Sequence, residues 1–272
     1  MKIFTFTFNR PDILEIQYKT FKKYCKNDFE FIVIHDSRNE EYVDEFSSIC
    51  EKNNFKFYHH KSRAGKQPSE YHSDVLMWTY KNIVCKKYID DIIFFLDHDI
   101  FMVDYLDILK YIDKFDMVTF FQRRPDPGEH IKYPKISNSI SIDDSILYYA
   151  WPGFCIFKNS KLKDKPFDFM CKLPSELSEL PENLRQNLDS GGGTYKLFKD
   201  KSLLIKNVGF EHIKMYNGFE VINNLVNNGH DYLFLCDRKF LHYKNASNWH
   251  TFYSVVDTDK TNILFKIFED IN

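Results

Sequence analysis

Two aspartates separated by one residue follow the most apolar segment of the chain. Residues 92–96 read Ile-Ile-Phe-Phe-Leu and are followed by Asp97, His98 and Asp99. Residues two apart in an extended chain point to the same side, so Asp97 and Asp99 are predicted to project together, with His98 opposed. Neighbouring carboxylates repel, and a divalent cation between them and a bound diphosphate relieves the repulsion. Oxygen ligands of this kind favour Mg²⁺ or Mn²⁺.

The segments before this pair alternate between strand and helix patterns. Strands are predicted over residues 2–8, 29–35, 55–58 and 92–96, and helices over 11–25, 39–52 and 69–87. This alternation is typical of an α/β domain with a Rossmann-like, mostly parallel sheet and helices on both faces. Ligands bind beyond the carboxyl ends of such strands. That position favours a ligand site over the alternative, a solvated turn whose two acids only cap the next segment.

Composition narrows the class of protein. The 272 residues are 43% hydrophobic, with a formal net charge of −2. This apolar content excludes disorder, and the lack of a basic excess argues against a nucleic-acid partner. No stretch approaches the roughly 20 apolar residues of a transmembrane helix, and the N-terminal strand lacks a signal-peptide cleavage pattern. The six cysteines form no Cys-x-x-Cys pair, so we expect a cytoplasmic protein with reduced thiols.

The order of elements, with its Asp-x-Asp (DxD) motif after a buried strand, resembles the glycosyltransferases of the GT-A type. The resemblance covers most of the chain in element order, but only short segments match as motifs. It implies one domain, with a nucleotide-sugar-binding half (1–104) and an acceptor-side half (105–272). It also implies transfer from a nucleoside-diphosphate sugar, UDP-sugar favoured, to a glycan or other hydroxyl-bearing acceptor, with Mn²⁺ or Mg²⁺. Asp97 would lie near the ribose or the metal, and Asp99 would bind the metal directly.

The resemblance also assigns polar residues at the other strand ends to the nucleotide. The candidate contacts in this half are Thr7, Asn9, Arg10, Asp36, Lys66, Asp74, Asp97 and His98. Asp36 stands where an acid of this family receives a base N–H. Turn and helix-capping chemistry is the alternative for the ends of the first two strands, and Lys66 could belong to an ordinary solvated loop.

Two segments of the second half are candidates for the acceptor side. Trp151 could stack on a sugar face or be a core tryptophan. Ordering three consecutive glycines is entropically costly, and close approach of backbone to a ligand is one reason for them, which makes Gly191 and Gly192 acceptor candidates. Asp189 precedes them and is either a general base for an inverting attack or the cap of a helix beginning near residue 194. Residues 172–188 are predicted to be helical.

A late histidine completes the predicted metal set. His242 follows an apolar run and resembles the C-terminal histidine of several GT-A families, which implies a site of Asp97, Asp99 and His242. Lys244 and Asn248 would then contact the diphosphate. The sequence departs from the family pattern His-x-x-Gly-x-x-Lys-Pro-Trp, because Trp249 is one residue closer and the Gly and Pro are missing.

Other functions share these features. A nucleotidyltransferase of nucleotide-sugar synthesis uses the same fold type but usually carries a Gly-rich basic signature after its first strand, where this chain has Asn-Arg-Pro-Asp. A non-catalytic sugar- or nucleotide-binding module of the same fold is the other alternative. The sequence leaves inversion and retention at the anomeric carbon both open.

Overall fold

A computed structural model describes residues 1–36, 40–61, 68–124, 135–137, 146–216, 219–221, 232–243 and 264–269. Its strands are β1 (Lys2–Thr7), β2 (Glu30–Asp36), β3 (Lys56–His60), β4 (Ile92–Asp97), β5 (Ile100–Met102), β6 (Met117–Arg124), β7 (Leu147–Lys158), β8 (Ile205–Asn207), β9 (Phe210–Tyr216), β10 (Phe219–Val221), β11 (Tyr232–Leu235) and β12 (Phe240–Tyr243). Its helices are α1 (Pro11–Tyr24), α2 (Val43–Asn53), α3 (Pro68–Thr79), α4 (Cys85–Lys87), α5 (Ile108–Ile112), α6 (Asn159–Leu162) and α7 (Tyr195–Lys199).

A seven-stranded sheet in the order β3-β2-β1-β4-β7-β6-β8 forms the centre of the fold. Strands β1 to β4 are mutually parallel, β7 runs antiparallel to β4 and β6, and β8 is parallel to β6. The chain moves outward from β1 to β3 and then returns to place β4 on the other side of β1. Ligands of open α/β sheets bind where the strand order reverses in this way. The predicted mostly parallel α/β sheet is confirmed.

Helices cover both faces of this sheet. Ile3 of β1 packs in a cluster with Leu14 of α1 and Phe46 of α2, whereas Phe4 packs in a second cluster with Leu76 of α3. Adjacent residues of β1 therefore enter opposite cores, as the two-residue period of a strand requires. Each fully buried apolar side chain contributes about 1.5–3 kcal/mol to stability. Because both faces of the sheet are buried, the parallel strands are almost continuously apolar.

The first three helices begin and end close to their predicted bounds. Helix α1 has Pro11 at its first position, where the missing N–H costs nothing. Helix α2 is preceded by a 3₁₀ turn, Glu40–Tyr42. The residue after its last turn, Asn54, is the C-cap and has the left-handed conformation, with φ of 56°. Helix α3 continues through a π-helical turn, Tyr80–Val84, into α4.

A second, five-stranded sheet in the order β10-β9-β11-β12-β5 extends from the first. It is antiparallel, and β5 follows β4 after only His98 and Asp99. In the pairing of β12 with β5, His242 lies opposite Ile100. The segment with the two acids therefore joins the two sheets.

The hairpin between β11 and β12 turns through three consecutive left-handed residues. Cys236, Asp237 and Arg238 have φ of 52°, 52° and 65°, and none of them is glycine. The turn is closed by hydrogen bonds from the Lys239 N–H to the carbonyls of Leu235 and Cys236. It sets the register in which β12 returns toward β5.

The prediction of a helix over residues 172–188 is wrong. The segment forms two 3₁₀ turns, Pro174–Leu177 and Glu182–Leu184, and its ends are joined by reciprocal backbone hydrogen bonds between Lys172 and Leu188 (3.1 and 2.9 Å). Pro181 between the two turns cannot donate the hydrogen bond that a continuing helix needs. The polar composition suggested a surface helix, but four of its leucines are instead buried in a cluster with Leu147 and Tyr149: Leu177, Leu180, Leu184 and Leu188.

Among the described residues, no helix is both long and apolar enough to cross a membrane. All six cysteines lie in this part of the chain, and each is a free thiol.

Candidate functional site

Asp97 and Asp99 lie at the carboxyl end of β4, beside the end of β1. Asp97 is the last residue of the strand, and Asp99 is almost fully buried. One buried oxygen of each, Oδ1, has no hydrogen-bond partner among the described residues. Each of these oxygens faces an imidazole, Asp97 with His72 Nε2 at 3.6 Å and Asp99 with His242 Nε2 at 3.5 Å. The predicted acid pair is thus enclosed between two histidines.

The surroundings of the two acids shift their pKa values in opposite directions. Burial, and then the charge of Asp99, raise the pKa of Asp97 well above its ordinary value. Burial also opposes ionisation of Asp99, but the electrostatic attraction of the neighbouring His242 outweighs it and lowers the pKa of Asp99. Two carboxyl groups held close together usually have pKa values that are separated in this way.

The backbone around the acids is held by a buried glutamine of α1. Gln17 Nε2 donates to the carbonyls of Asp97 and Ile100, at 2.9 Å each, and its Oε1 accepts from Thr5 Oγ1 at 2.7 Å. Gln17 and Thr5 are fully buried. The sequence analysis missed Gln17, although a polar residue on the apolar face of an amphipathic helix was a signal that could have found it.

His98 binds the backbone of β1. Its Nδ1 lies 3.1 Å from the carbonyl oxygen of Phe6, so Nδ1–H donates and Nε2 is the unprotonated nitrogen. Burial lowers the pKa of His98, which favours this neutral tautomer. Nε2 is buried without a hydrogen-bond partner in the described part of the chain. A nucleotide contact of His98 remains a prediction.

Trp151 links strand β7 to the acid pair. Its ring centroid lies 5.0 Å from that of His242, at an interplanar angle of 40°. A Cβ atom at Gly153 would collide with Asp97 Oδ2 and would lie 2.5 Å from the Trp151 ring. Glycine is therefore required where the tryptophan and the acid approach each other. Trp151 is half-buried, so part of the residue remains accessible.

A break in strand pairing shapes this corner of β7. The register shifts between Thr119, which pairs with Cys155, and Phe120, which pairs with Trp151. Thr119 Oγ1 lies within hydrogen-bond distance of the carbonyls of Trp151 (3.0 Å) and Phe154 (2.9 Å). Such irregularities re-aim side chains near active sites.

The three glycines are packed against the protein itself. Gly191 has φ of +91°, and its N–H donates to the Phe169 carbonyl at 2.7 Å. A Cβ atom at Gly191 would collide with the Ala150 carbonyl, and one at Gly192 would lie 2.5 Å from Leu188 Cβ. Internal packing accounts for the glycines, so they need no ligand to explain them. Contacts of Gly191 and Gly192 with an acceptor remain predictions.

Asp189 is exposed just before these glycines. Its Oδ1 accepts the Ser190 N–H at 2.7 Å, and its carbonyl accepts the Gly192 N–H at 2.8 Å. The 3₁₀ turn before α7 starts after Gly191 without a side-chain cap, so Asp189 does not cap that helix. Ser190 Oγ donates to the Ser69 carbonyl of α3 at 3.0 Å. The helix that carries His72 thus also contacts the Asp189 segment.

Three polar side chains lie at the end of β1, and the structure gives hydrogen bonds to two of them. Asn9 Oδ1 is buried with no hydrogen-bond partner among the described residues. Arg10 is held by Asp12 through two hydrogen bonds of 2.8 and 2.7 Å. Thr7 Oγ1 lies 3.2 Å from Nδ1 of the buried His35. Of these residues, Asn9 is the best placed to accept a hydrogen bond from a ligand.

The carboxylates beyond β2 and β3 have different environments. Asp36 is buried at the end of β2, opposite His60 in the register with β3. Asp74 Oδ2 lies 3.1 Å from His60 Nε2, and the His60 ring stacks on Trp78 with centroids 4.5 Å apart. Asp74 therefore interacts with His60, whereas His72 on the same helix lies beside Asp97 of the acid pair.

Three predicted contacts lie outside the described residues. These are Lys66, Lys244 and Asn248.

The chemistry of the acid pair fits a divalent cation. The described part of the chain holds no group of three or more His, Cys, Asp and Glu side chains placed to bind a metal ion. However, the two buried oxygens without hydrogen-bond partners are hard ligands that suit Mg²⁺ or Mn²⁺, which usually takes its other ligands from substrate phosphates and water. The predicted role of His242 as a third ligand stays a prediction.

Comparison with known proteins gives structural similarity only. No protein-family model matches the sequence, and neither does any curated protein. The fold is similar to solved glycosyltransferases. An active-site mutant of LgtC has a TM-score of 0.48 at 13% identity, with 98% of this chain and 96% of that chain covered. S. aureus TarS in complex with UDP-GlcNAc has a TM-score of 0.41 at 14% identity, covering 76% and 58%.

A third example is the mannosyltransferase PcManGT from Pyrobaculum calidifontis in complex with GDP-Man and Mn²⁺. Its TM-score is 0.38 at 10% identity, covering 60% of this chain and 45% of that chain. The chain spans 60% of the length of one TarS structure and 36% of another. Because these identities and TM-scores are low, the function proposed below rests on the residues of the site.

Proposed function

We propose that the protein is a glycosyltransferase that moves a sugar from a nucleoside-diphosphate sugar, with a UDP-sugar favoured, to an acceptor hydroxyl. The observation that carries this proposal is the pair Asp97 and Asp99 at the end of β4, each with one buried oxygen that has no hydrogen-bond partner among the described residues. The pair lies where a sheet of this strand order binds its ligands. It is also the motif through which the sequence resembles GT-A enzymes.

In this proposal Asp97, Asp99 and His242 hold Mn²⁺ or Mg²⁺. When bound, the cation neutralises charge that develops on the departing diphosphate. Asn9 offers its free oxygen to the nucleotide, and Asp36 accepts a base N–H. His72 lies beside Asp97 and His242 beside Asp99, at 3.6 and 3.5 Å from the Oδ1 atoms. The burial of Asp99 and His242 strengthens the electrostatic interaction between them.

Transfer forms one bond and breaks another. The acceptor oxygen attacks the anomeric carbon while the bond from that carbon to the diphosphate oxygen breaks, and the electron pair leaves with the diphosphate. Trp151 offers an aromatic face to the acceptor sugar. If Asp189 takes the hydroxyl proton as general base, the product has inverted configuration; without a base beside the acceptor, retention is favoured.

A thermal-shift panel tests this function. Nucleoside diphosphates and nucleotide sugars are added with and without Mn²⁺, and a ligand at about 100 times its Kd stabilises the folded state by about 2.7 kcal/mol. We expect a shift selective for one base that requires the metal, followed by metal-dependent hydrolysis of the matching nucleotide sugar. Binding without hydrolysis or transfer would indicate a binding module. Formation of a nucleotide sugar from a sugar phosphate and a nucleoside triphosphate would indicate a nucleotidyltransferase.

A further inference from the structure

We propose that Gln17 is a positioning residue that sets the geometry of the acid pair by holding the backbone of the segment that carries it. Its amide ties together the two ends of the segment that carries both acids, because Nε2 donates to the carbonyls of Asp97 and Ile100. The consequence for metal binding rests on the function proposed above, whereas the clamp on the backbone does not.

The orientation of this amide is fixed on its other side. Thr5 Oγ1 donates to Gln17 Oε1 at 2.7 Å, which leaves both Nε2 hydrogens for the two carbonyls. Thr5 belongs to β1, and Gln17 belongs to α1. Three elements, β1, α1 and the β4–β5 connection, therefore meet at one side chain. All of its polar atoms are satisfied in a fully buried position, so the network holds a single arrangement.

The opposite side of the same segment is held by β12. The Tyr243 N–H donates to the Asp99 carbonyl at 2.8 Å, which places the neighbouring His242 beside the Asp99 carboxylate. Gln17 from one side and β12 from the other thus fix the backbone carbonyls of Asp97, Asp99 and Ile100. With the backbone fixed, the two carboxylates can remain close despite their repulsion.

A neighbouring hydrogen bond on the same helix provides a matched control. Thr20, one turn further along α1, is also fully buried; its Oγ1 accepts the Met102 N–H at 3.1 Å and donates to the Gln17 carbonyl at 2.7 Å. Its bond reaches β5 beyond the acid segment. Gln17→Met and Thr20→Val therefore each remove a buried polar contact between α1 and the same stretch of chain, but only the first removes the clamp.

The first measurement is amide hydrogen–deuterium exchange of residues 96–103 without metal, resolved residue by residue by NMR. We expect Gln17→Met to speed exchange of the backbone amides of the acid segment about tenfold. The segment opens more readily once the carbonyls of Asp97 and Ile100 lose the hydrogen bonds from Gln17. Thr20→Val should speed exchange at Met102 and leave the acid segment near the wild-type rate. Unchanged exchange of the acid segment in a folded Gln17→Met variant overturns the clamp.

The second measurement is the affinity for Mn²⁺ alone, read from the free-ion signal in electron paramagnetic resonance. Loss of an outer-shell partner typically weakens metal binding 10–100-fold, and we expect this range for Gln17→Met and less than threefold for Thr20→Val. Equal losses in the two variants would make Gln17 an ordinary core residue. If the wild type binds no Mn²⁺, the metal assignment fails, and the exchange experiment still decides the clamp.

A milder variant keeps the test open if Gln17→Met does not fold. Thr5→Val preserves the size of the side chain and leaves Gln17 in place, but it removes the hydrogen bond that orients the amide. We expect its exchange and Mn²⁺ affinity to change in the same direction as for Gln17→Met, by about threefold. Wild-type values in both measurements overturn the proposal.

Discussion

His242 Nε2 lies 3.5 Å from Asp99 Oδ1, and the two residues come from β12 and from the connection between β4 and β5. The pair is almost fully buried. The site is therefore completed only after the late part of the chain has folded back onto the first half. If Asp99 binds a metal ion, this contact is where the two halves of the proposed enzyme are joined.

Replacement of Asp99 by Asn should abolish the Mn²⁺-dependent part of any nucleotide stabilisation while the protein stays folded. The amide keeps the size of the side chain but loses the charge that attracts the cation. The measurement is the thermal shift with nucleotide, with and without Mn²⁺. Asp104→Asn is the control, because Asp104 is an exposed acid bound to Lys239. Retention of a metal-dependent shift in Asp99→Asn would contradict the assignment.

Asp189→Asn should lower turnover about 10²–10⁴-fold and leave donor affinity nearly unchanged, if the carboxylate is the general base. Asparagine can still accept the Ser190 N–H, so the loop should keep its conformation. Steady-state kinetics with the donor identified by the thermal-shift panel separates the two effects. An unchanged kcat would show that Asp189 is structural and would favour retention of configuration.

Gly153→Ala should disrupt nucleotide and metal binding more than its size suggests. The new methyl group would collide with Asp97 Oδ2 and the Trp151 ring, and overpacking of this kind costs about 1–3 kcal/mol. Gly209→Ala is a suitable control: Gly209 has φ of +65° but no atom within 4 Å of an added Cβ, so only backbone strain is introduced. Urea unfolding and the thermal shift should show stability losses in both variants and lost binding only in Gly153→Ala.

An ion-pair cluster remote from the site should give the protein part of its acid sensitivity. Burial opposes ionisation of Glu30, but hydrogen bonds from Lys2 and Lys56 outweigh it and lower the pKa of Glu30. The stability it contributes is therefore present above the ordinary glutamate pKa of about 4.3 and is lost as pH falls through the lower, folded-state value. Urea unfolding should show Glu30→Gln less stable than wild type at pH 7, with the difference shrinking at lower pH. A constant difference would contradict this cause.

The first half of the fold was predictable because its strands and helices are regular. Apolar β4 and the amphipathic α1 carry periodic patterns, and their polar ends fall at one sheet edge. Of the site, this reasoning found Asp97 and Asp99 because they end a strand. It predicted Asp74 as a nucleotide contact; the structure pairs Asp74 with His60 and places His72 beside Asp97.

The second half was less predictable because its contacts are distant in sequence. The five-stranded sheet combines β5 with four later strands, and no local pattern encodes that pairing. Residues 172–188 carry polar residues suited to a helix, but packing of their leucines decides the conformation. The three glycines suggested a close approach of the backbone to a ligand, but their neighbours Ala150 and Leu188 could be identified only from the structure.

The left-handed turn at Cys236, Asp237 and Arg238 fixes the number of residues between β11 and β12, and with it the register in which they pair. Non-glycine residues in this conformation each cost about 1 kcal/mol, so the surrounding fold must impose it. Insertion or loss of one residue there would slide β12 by one position and turn His242 to the opposite face of its sheet. The spacing of this remote turn, which touches no ligand in the proposal, thus decides whether an imidazole or an apolar side chain meets Asp99.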